Sequence, residues 1–178
     1  MKILISHPTS NSNNRAVVKG LSQAAMLYEF HTSIASFQGD LLERLGGFKP
    51  FKEIKRRQFD LELKDFTHSY PFLTKHEKGF FSIDKIYKSL DKRMALRLLK
   101  TSKDNLAGIY GYEDGAFASF TNAKKSGIQC FYDLPIGYWR TARKLMKIEK
   151  ERWPDWASTL TGLQDSEGKL QRKDDELA

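Results

Sequence analysis

Apolar residues come along this chain in two rhythms, short continuous bursts and longer stretches spaced as on a helix. "KILIS" (2–6) is a burst, and a polar loop, "HPTSNSNN" (7–14), follows it. From Arg15 to Leu27 the apolar positions Val17, Val18, Leu21, Ala24 and Ala25 recur at helical spacing. "YEFHTSI" (28–34) predicts a second strand, so the chain opens as strand–helix–strand, the start of a parallel sheet. Residues 40–57 read as a helical or irregular excursion. "FDLEL" (59–63) alternates apolar and acidic residues and predicts a third strand. The aromatic-rich 68–81, broken by Pro71 and Gly79, predicts a loop.

The second half repeats the alternation. Asp84 to Lys100 predicts a helix burying Ile86, Leu90, Met94 and Leu98. "LAGIY" (106–110) predicts a strand, "AFASFTNAKKSG" (116–127) a helix closing at Gly127, and "IQCFYD" (128–133) another strand. Residues 136–153 open as a loop and continue as a long helix, and a last helix starts at Asp165 or Ser166. The expected fold class is α/β, a Rossmann-like three-layer domain with a mainly parallel sheet. In such sheets the first half runs in order 3-2-1 and the next strand crosses over to lie beside the first. The loops "HPTSNSNN" and "GYEDGA" (111–116) would then face each other across the crevice where these folds bind ligands.

Composition narrows the class. The 178 residues suffice for one core, and 40% hydrophobic with 12% aromatic content excludes a disordered chain. No apolar run reaches a membrane-spanning length, and the opening run is too short for a signal peptide, so a cytoplasmic protein is expected. The lone Cys130 gives neither a disulfide frame nor a metal-ligand spacing. Net charge is +8, and residues 51–103 hold 14 Lys/Arg against 7 Asp/Glu, nearly the whole excess. Such a patch suits an anionic partner or simply a solvated face.

Candidate chemistry gathers at the strand ends. The first loop has no glycine, so ordinary dinucleotide binding is not expected. Ser10, Asn11, Ser12, Asn13 and Asn14 can cap the following helix, whose amino end attracts anions, and Arg15 adds a charge there. Glu113 and Asp114 could serve as a general base, could hold sugar hydroxyls, or could be ordinary dipole partners of the next helix. Gly111 and Gly115 fit a tight turn or a close backbone approach. Asp133 occupies the equivalent loop one strand on. The four histidines, His7, His31, His68 and His76, show no helix-face metal pair; only His7 falls at the crevice, and His31 is expected packed or half-exposed on the second strand.

"MKILISHPTSNSNNRAV", "YGYEDGA" and above all "YDLPIGYWR" (132–140) resemble the amino-terminal half of bacterial family 4-like glycosyltransferases of GT-B type, which build surface polysaccharides. The resemblance runs through nearly the whole chain, with glycine in that family where Ser10 stands. It implies that residues 1–152 form the acceptor-side domain and 153–178 a linker and helix leading to an absent donor-binding domain. The implied function is transfer of a sugar, with retention, from a nucleotide sugar to a glycan or lipid-linked acceptor, the chain alone being inactive. By the same resemblance His7, Thr9, Ser10, Asn11, Asn14 and Arg15 would line the donor phosphates or the acceptor. Asp133, Tyr138 and Arg140 would line the acceptor, Glu113 and Asp114 would stand where such enzymes keep an acceptor-side polar residue, and Glu113 would orient a hydroxyl and take its proton. No metal and no cofactor beyond the nucleotide sugar is implied, and no nucleic acid partner.

Lys85, Lys88 and Lys92 form one helical stripe that would face an anionic membrane, placing the protein peripherally on its inner surface. The competing reading is a non-enzymatic basic α/β module for nucleic acid or a partner protein.

Overall fold

Ile3, Leu4, Ile5 and Ser6 are all buried, which only a strand covered on both faces can achieve. Alternate residues point to opposite sides of a strand, and the chain builds a separate core on each. Ile3 and Ile5 pack with Val18, Leu27, Phe30 and Leu63 on one face, and Leu4 packs with Leu90, Met94, Ile109 and Phe120 on the other. The computed structural model describes residues 1–41, 43, 54, 57–71, 83–102, 105–159 and 165–178. Strands β1 (Ile3–Ser6), β2 (Leu27–Thr32), β3 (Thr67–Ser69), β4 (Gly108–Tyr112) and β5 (Gln129–Asp133) form one parallel sheet in the order β3-β2-β1-β4-β5. The expected crossover is present: β1 pairs with both β2 and β4, and the chain is a three-layer α/β domain.

The long helices among the described residues are α1 (Ser12–Gln23), α2 (Ile83–Leu99), α3 (Phe117–Lys125), α4 (Trp139–Arg152) and α5 (Glu167–Leu177). In α2 all four expected core residues, Ile86, Leu90, Met94 and Leu98, are buried. Most of the excursion over 40–57 and of the loop over 68–81, with His76, lies outside the described residues.

The third strand differs from expectation. "FDLEL" is not a strand: Leu61–Phe66 is a 3-10 helix, and β3 follows at Thr67–Ser69, inside the segment expected to be loop. A strand would put Phe59, Leu61 and Leu63 on one face, but Phe59 and Leu63 are buried while Leu61 is 58% exposed. The strand that does form is the polar "THS", held at the sheet edge by pairing with Phe30, His31 and Thr32.

Strand β4 runs on through Gly111, where a Cβ would lie 2.9 Å from both Ala116 Cβ and Phe120 Cε1. Glycine there lets α3 approach the sheet, which is the close-approach role expected for it. The last helix returns to the domain. Helix α5 packs against α3 and over the loop that follows β4.

Candidate functional site

The two loops expected to face each other do meet. The His7 ring lies 4.2 Å, centroid to centroid, from Tyr112, joining the end of β1 to the end of β4. Tyr112 in turn lies 6.2 Å from Tyr87 of α2, whose hydroxyl bonds to Thr9. His7 is wholly buried. Its Nδ1 accepts backbone N–H bonds from Ser10 at 2.8 Å and Thr9 at 3.2 Å, so the neutral ring carries its proton on Nε2. Burial, and then the Arg57 guanidinium, hold its pKa down at about 4. The Nε2–H has no partner among the described residues, and neither amide atom of the buried Asn14 has one. Buried polar groups without partners are costly and rare.

The first loop folds around its own hydrogen bonds. Asn11 is the N-cap of α1 and accepts from Asn14 N at 2.8 Å, as its position predicted. Ser10 adopts a left-handed φ of +53°, the conformation that favours glycine, and its Oγ turns inward to Thr32 Oγ1 at 2.9 Å. Arg15 donates to the carbonyls of Ser10 and Gln58. Arg57, which sequence reasoning missed, is buried and donates to Pro8 O and Ser33 Oγ. Burial and the nearby Arg57 charge lower the Arg15 pKa, so two guanidiniums stand close to this loop. Among the described residues neither pairs with a carboxylate.

The acids after β4 are held by α5. Glu113 is 5% exposed and pairs with Lys173 at 2.9 Å. Asp114 takes a left-handed φ of +71° and pairs with Lys169 at 3.2 Å. Neither acid caps α3. Asp91 of α2 accepts from Ala118 N and Ser119 N, and Glu176 of α5 accepts from Asp114 N at 3.0 Å and Ala116 N at 3.1 Å. Glu176 also accepts from the Tyr132 hydroxyl at 2.8 Å, which raises the pKa of Tyr132 further after its burial. Burial raises the Glu176 pKa against these three donors. Arg172 pairs with Asp84, completing a charge network between the last helix and the crevice wall.

The remaining candidates separate. The Asp133 carbonyl accepts from Glu113 N at 3.1 Å and its side chain bonds to Tyr110. Tyr138 and Arg140 meet at Asp174 of α5, at 2.7 Å and 2.5 Å, and the Trp139 indole joins them at 2.8 Å. Lys85, Lys88 and Lys92 lie exposed on α2, with Lys88 paired to Asp84 at 2.9 Å.

The fold creates one group that the sequence did not suggest. His31 and His68, opposite each other on β2 and β3, stack at 4.7 Å, and with Glu29 their donor atoms lie within 4.8 Å of one another. These three could hold a metal ion, but Arg97 occupies the Glu29 carboxylate at 2.5 Å and 2.9 Å. Burial raises the Glu29 pKa, and the bonds from His31 and Arg97 outweigh it, holding the group at about 2. His31 itself is 2% exposed, and its Nδ1 and the Tyr70 hydroxyl share a hydrogen bond at 2.8 Å. The arrangement reads as a closed strand-to-helix clamp.

Comparison with protein-family models, with curated proteins and with solved structures finds no match to this chain. No helix among the described residues is long and apolar enough to cross a membrane. The chain is a Rossmann-like α/β domain in which the ends of β1 and β4 bring together the buried His7, with its unpartnered Nε2–H, Tyr112 and, nearby, the guanidiniums of Arg15 and Arg57.

Proposed function

We propose that the chain is the acceptor-binding, amino-terminal domain of a GT-B-type glycosyltransferase, which moves a sugar from a nucleotide sugar to a glycan or lipid-linked acceptor. The observation that carries this reading is the buried, unpartnered Nε2–H of His7 at the junction of β1 and β4. A fixed neutral donor beside aromatic rings suits a sugar hydroxyl, which accepts a hydrogen bond while its ring stacks on tyrosine. The left-handed Ser10 also agrees with the glycine of the resembled family at that place. In this reading Arg15 and Arg57 face the anionic part of the ligands, and Thr9 and Asn14 add further donors. Asp133, Tyr138 and Arg140 border the acceptor. Glu113 and Asp114 shape the crevice wall, with α5 holding their charges. The nucleotide sugar would be bound mainly by a second domain.

The test joins this chain to its donor-binding half and assays transfer from a panel of nucleotide sugars to free and lipid-linked glycans. His7→Asn keeps an acceptor for Ser10 N and removes the Nε2 donor. It should lower kcat/KM about tenfold, the loss of one neutral hydrogen bond. Absence of transfer with every donor, or full activity in His7→Asn, would overturn the reading.

One observation favours a second reading. Glu113 and Asp114 are both paired to lysines of α5, so neither stands as a free base. On that basis the chain would be a non-enzymatic basic α/β module, and tight duplex binding at physiological salt would distinguish it.

A further inference from the structure

Helix α4 is unlike the other helices. None of its residues is buried, whereas α1, α2, α3 and α5 each bury at least two. It carries Arg140, Arg143, Lys144, Lys147, Lys150 and Arg152 against only Glu149 and Glu151. Among the described residues Arg143, Lys144, Lys147, Lys150 and Arg152 form no ion pair, while Lys169, Arg172 and Lys173 of α5 all do. The bases of α5 are consumed inside the domain; on α4, Lys144 and Arg152 lie on the side away from α5.

The helix also offers apolar surface. Trp139, Ala142 and Met146 line a small cavity with Leu170 of α5, so that face looks inward. Leu145, 58% exposed, and Ile148, 49% exposed, lie away from it. At about 100° per residue Ile148 falls about 40° from both Lys144 and Arg152, so aliphatic and basic side chains share one outward stripe. The chain then runs into the exposed Trp153 and, on a 3-10 turn (Pro154–Thr159) that also buries nothing, the exposed Trp156.

We propose that α4 and the two tryptophans after it dock the domain on an anionic lipid bilayer, the helix lying in the plane of the headgroups. Leu145 and Ile148 would enter the acyl boundary, the tryptophans the interface, and the bases the layer of lipid phosphates. The composition selects a bilayer over a protein partner. Lysine is depleted from the cores of protein interfaces, whereas surface-lying helices combine Lys/Arg with Trp and Leu in this way. The net charge of the helix is complementary to an anionic leaflet. The proposal moves the docking surface from the Lys85–Lys88–Lys92 stripe to α4. It stands apart from the sugar-transfer reading, because vesicle binding requires no transferase activity.

The chain is mixed with vesicles of phosphatidylglycerol and phosphatidylcholine in equal parts, and separately with phosphatidylcholine alone. Binding is read by sedimentation and by tryptophan emission. The expected result is binding to the anionic vesicles only, with emission shifted to the blue and binding weakened by salt. Lys144→Gln/Lys147→Gln/Arg152→Gln should lower partitioning about a hundredfold, roughly fivefold for each base. Leu145→Gln/Ile148→Gln keeps the charge, and should lose about tenfold or more and remove most of the blue shift. All five residues are exposed, so the variants should keep the wild-type circular dichroism. Lys88→Gln/Lys92→Gln on α2 should bind as the wild type does. No binding by the wild type, equal binding to both vesicle types, or loss in the α2 variant with none in the α4 variants would each overturn the proposal. So would a dimer in solution that Leu145→Gln/Ile148→Gln disperses while vesicles remain unbound.

Discussion

His7 shows how much one buried ring fixes. Its Nδ1 is committed to backbone N–H groups, its pKa lies at about 4 instead of 6.5, and its Nε2–H is left without a partner. Because the folded value is depressed, the unfolded chain takes up a proton below pH 6.5 that the folded chain refuses until about pH 4. The stability tied to this group is whole above pH 6.5 and falls away as the pH drops to 4, by on the order of 3 kcal/mol. Burial depresses His31 in the same direction. Denaturant unfolding at a series of pH values should therefore lose stability across this window. In His7→Asn the slope should be smaller by one proton; an unchanged slope would mean that His7 is charged in the fold. The crevice position of His7 was legible in the sequence, because it follows the first apolar burst. Its neutral state was not: that depends on burial by the folded chain and, after it, on Arg57, fifty residues away.

Elements with a strong apolar rhythm were readable and elements made by their neighbours were not. Helix α2 buries the four residues its spacing marked, and β1, β4 and β5 lie within a residue or two of the apolar bursts. Strand β3 is Thr-His-Ser, with no apolar residue to announce it, and exists because β2 offers a free edge. The seat of α5 was equally silent, since the bond between Lys173 and Glu113 joins residues sixty apart. Both side chains are 7% exposed, so breaking the pair from one side strands a buried charge. Lys173→Met should cost about 3 kcal/mol in urea unfolding, and adding Glu113→Gln should recover most of that. Two independent, additive losses would show that the charges do not meet.

At the scale of the whole molecule, strand order and the place of the crevice followed from the alternation of strands and helices alone. One rule, that β4 crosses back beside β1, brings two distant loops together. What alternation could not carry was the seat of the last helix, whose Glu176 accepts from Asp114 N and Ala116 N. Helix α4 is therefore anchored at its start, where Asp174 gathers Tyr138, Trp139 and Arg140, and open along its middle. The backbone there can be severed without dismantling the domain. Brief trypsin treatment should cut first, among the described segments, after Lys144, Lys147 or Lys150. The two pieces should then travel together through size exclusion until urea is added, since α5 is clasped by Glu113, Asp114 and Asp84 on the far side of the cut. Pieces that part in native buffer would mean the clasp is weaker than its geometry. If they stay together, chain continuity through α4 is dispensable for the fold, and sequence there is free to answer to whatever the helix touches outside it.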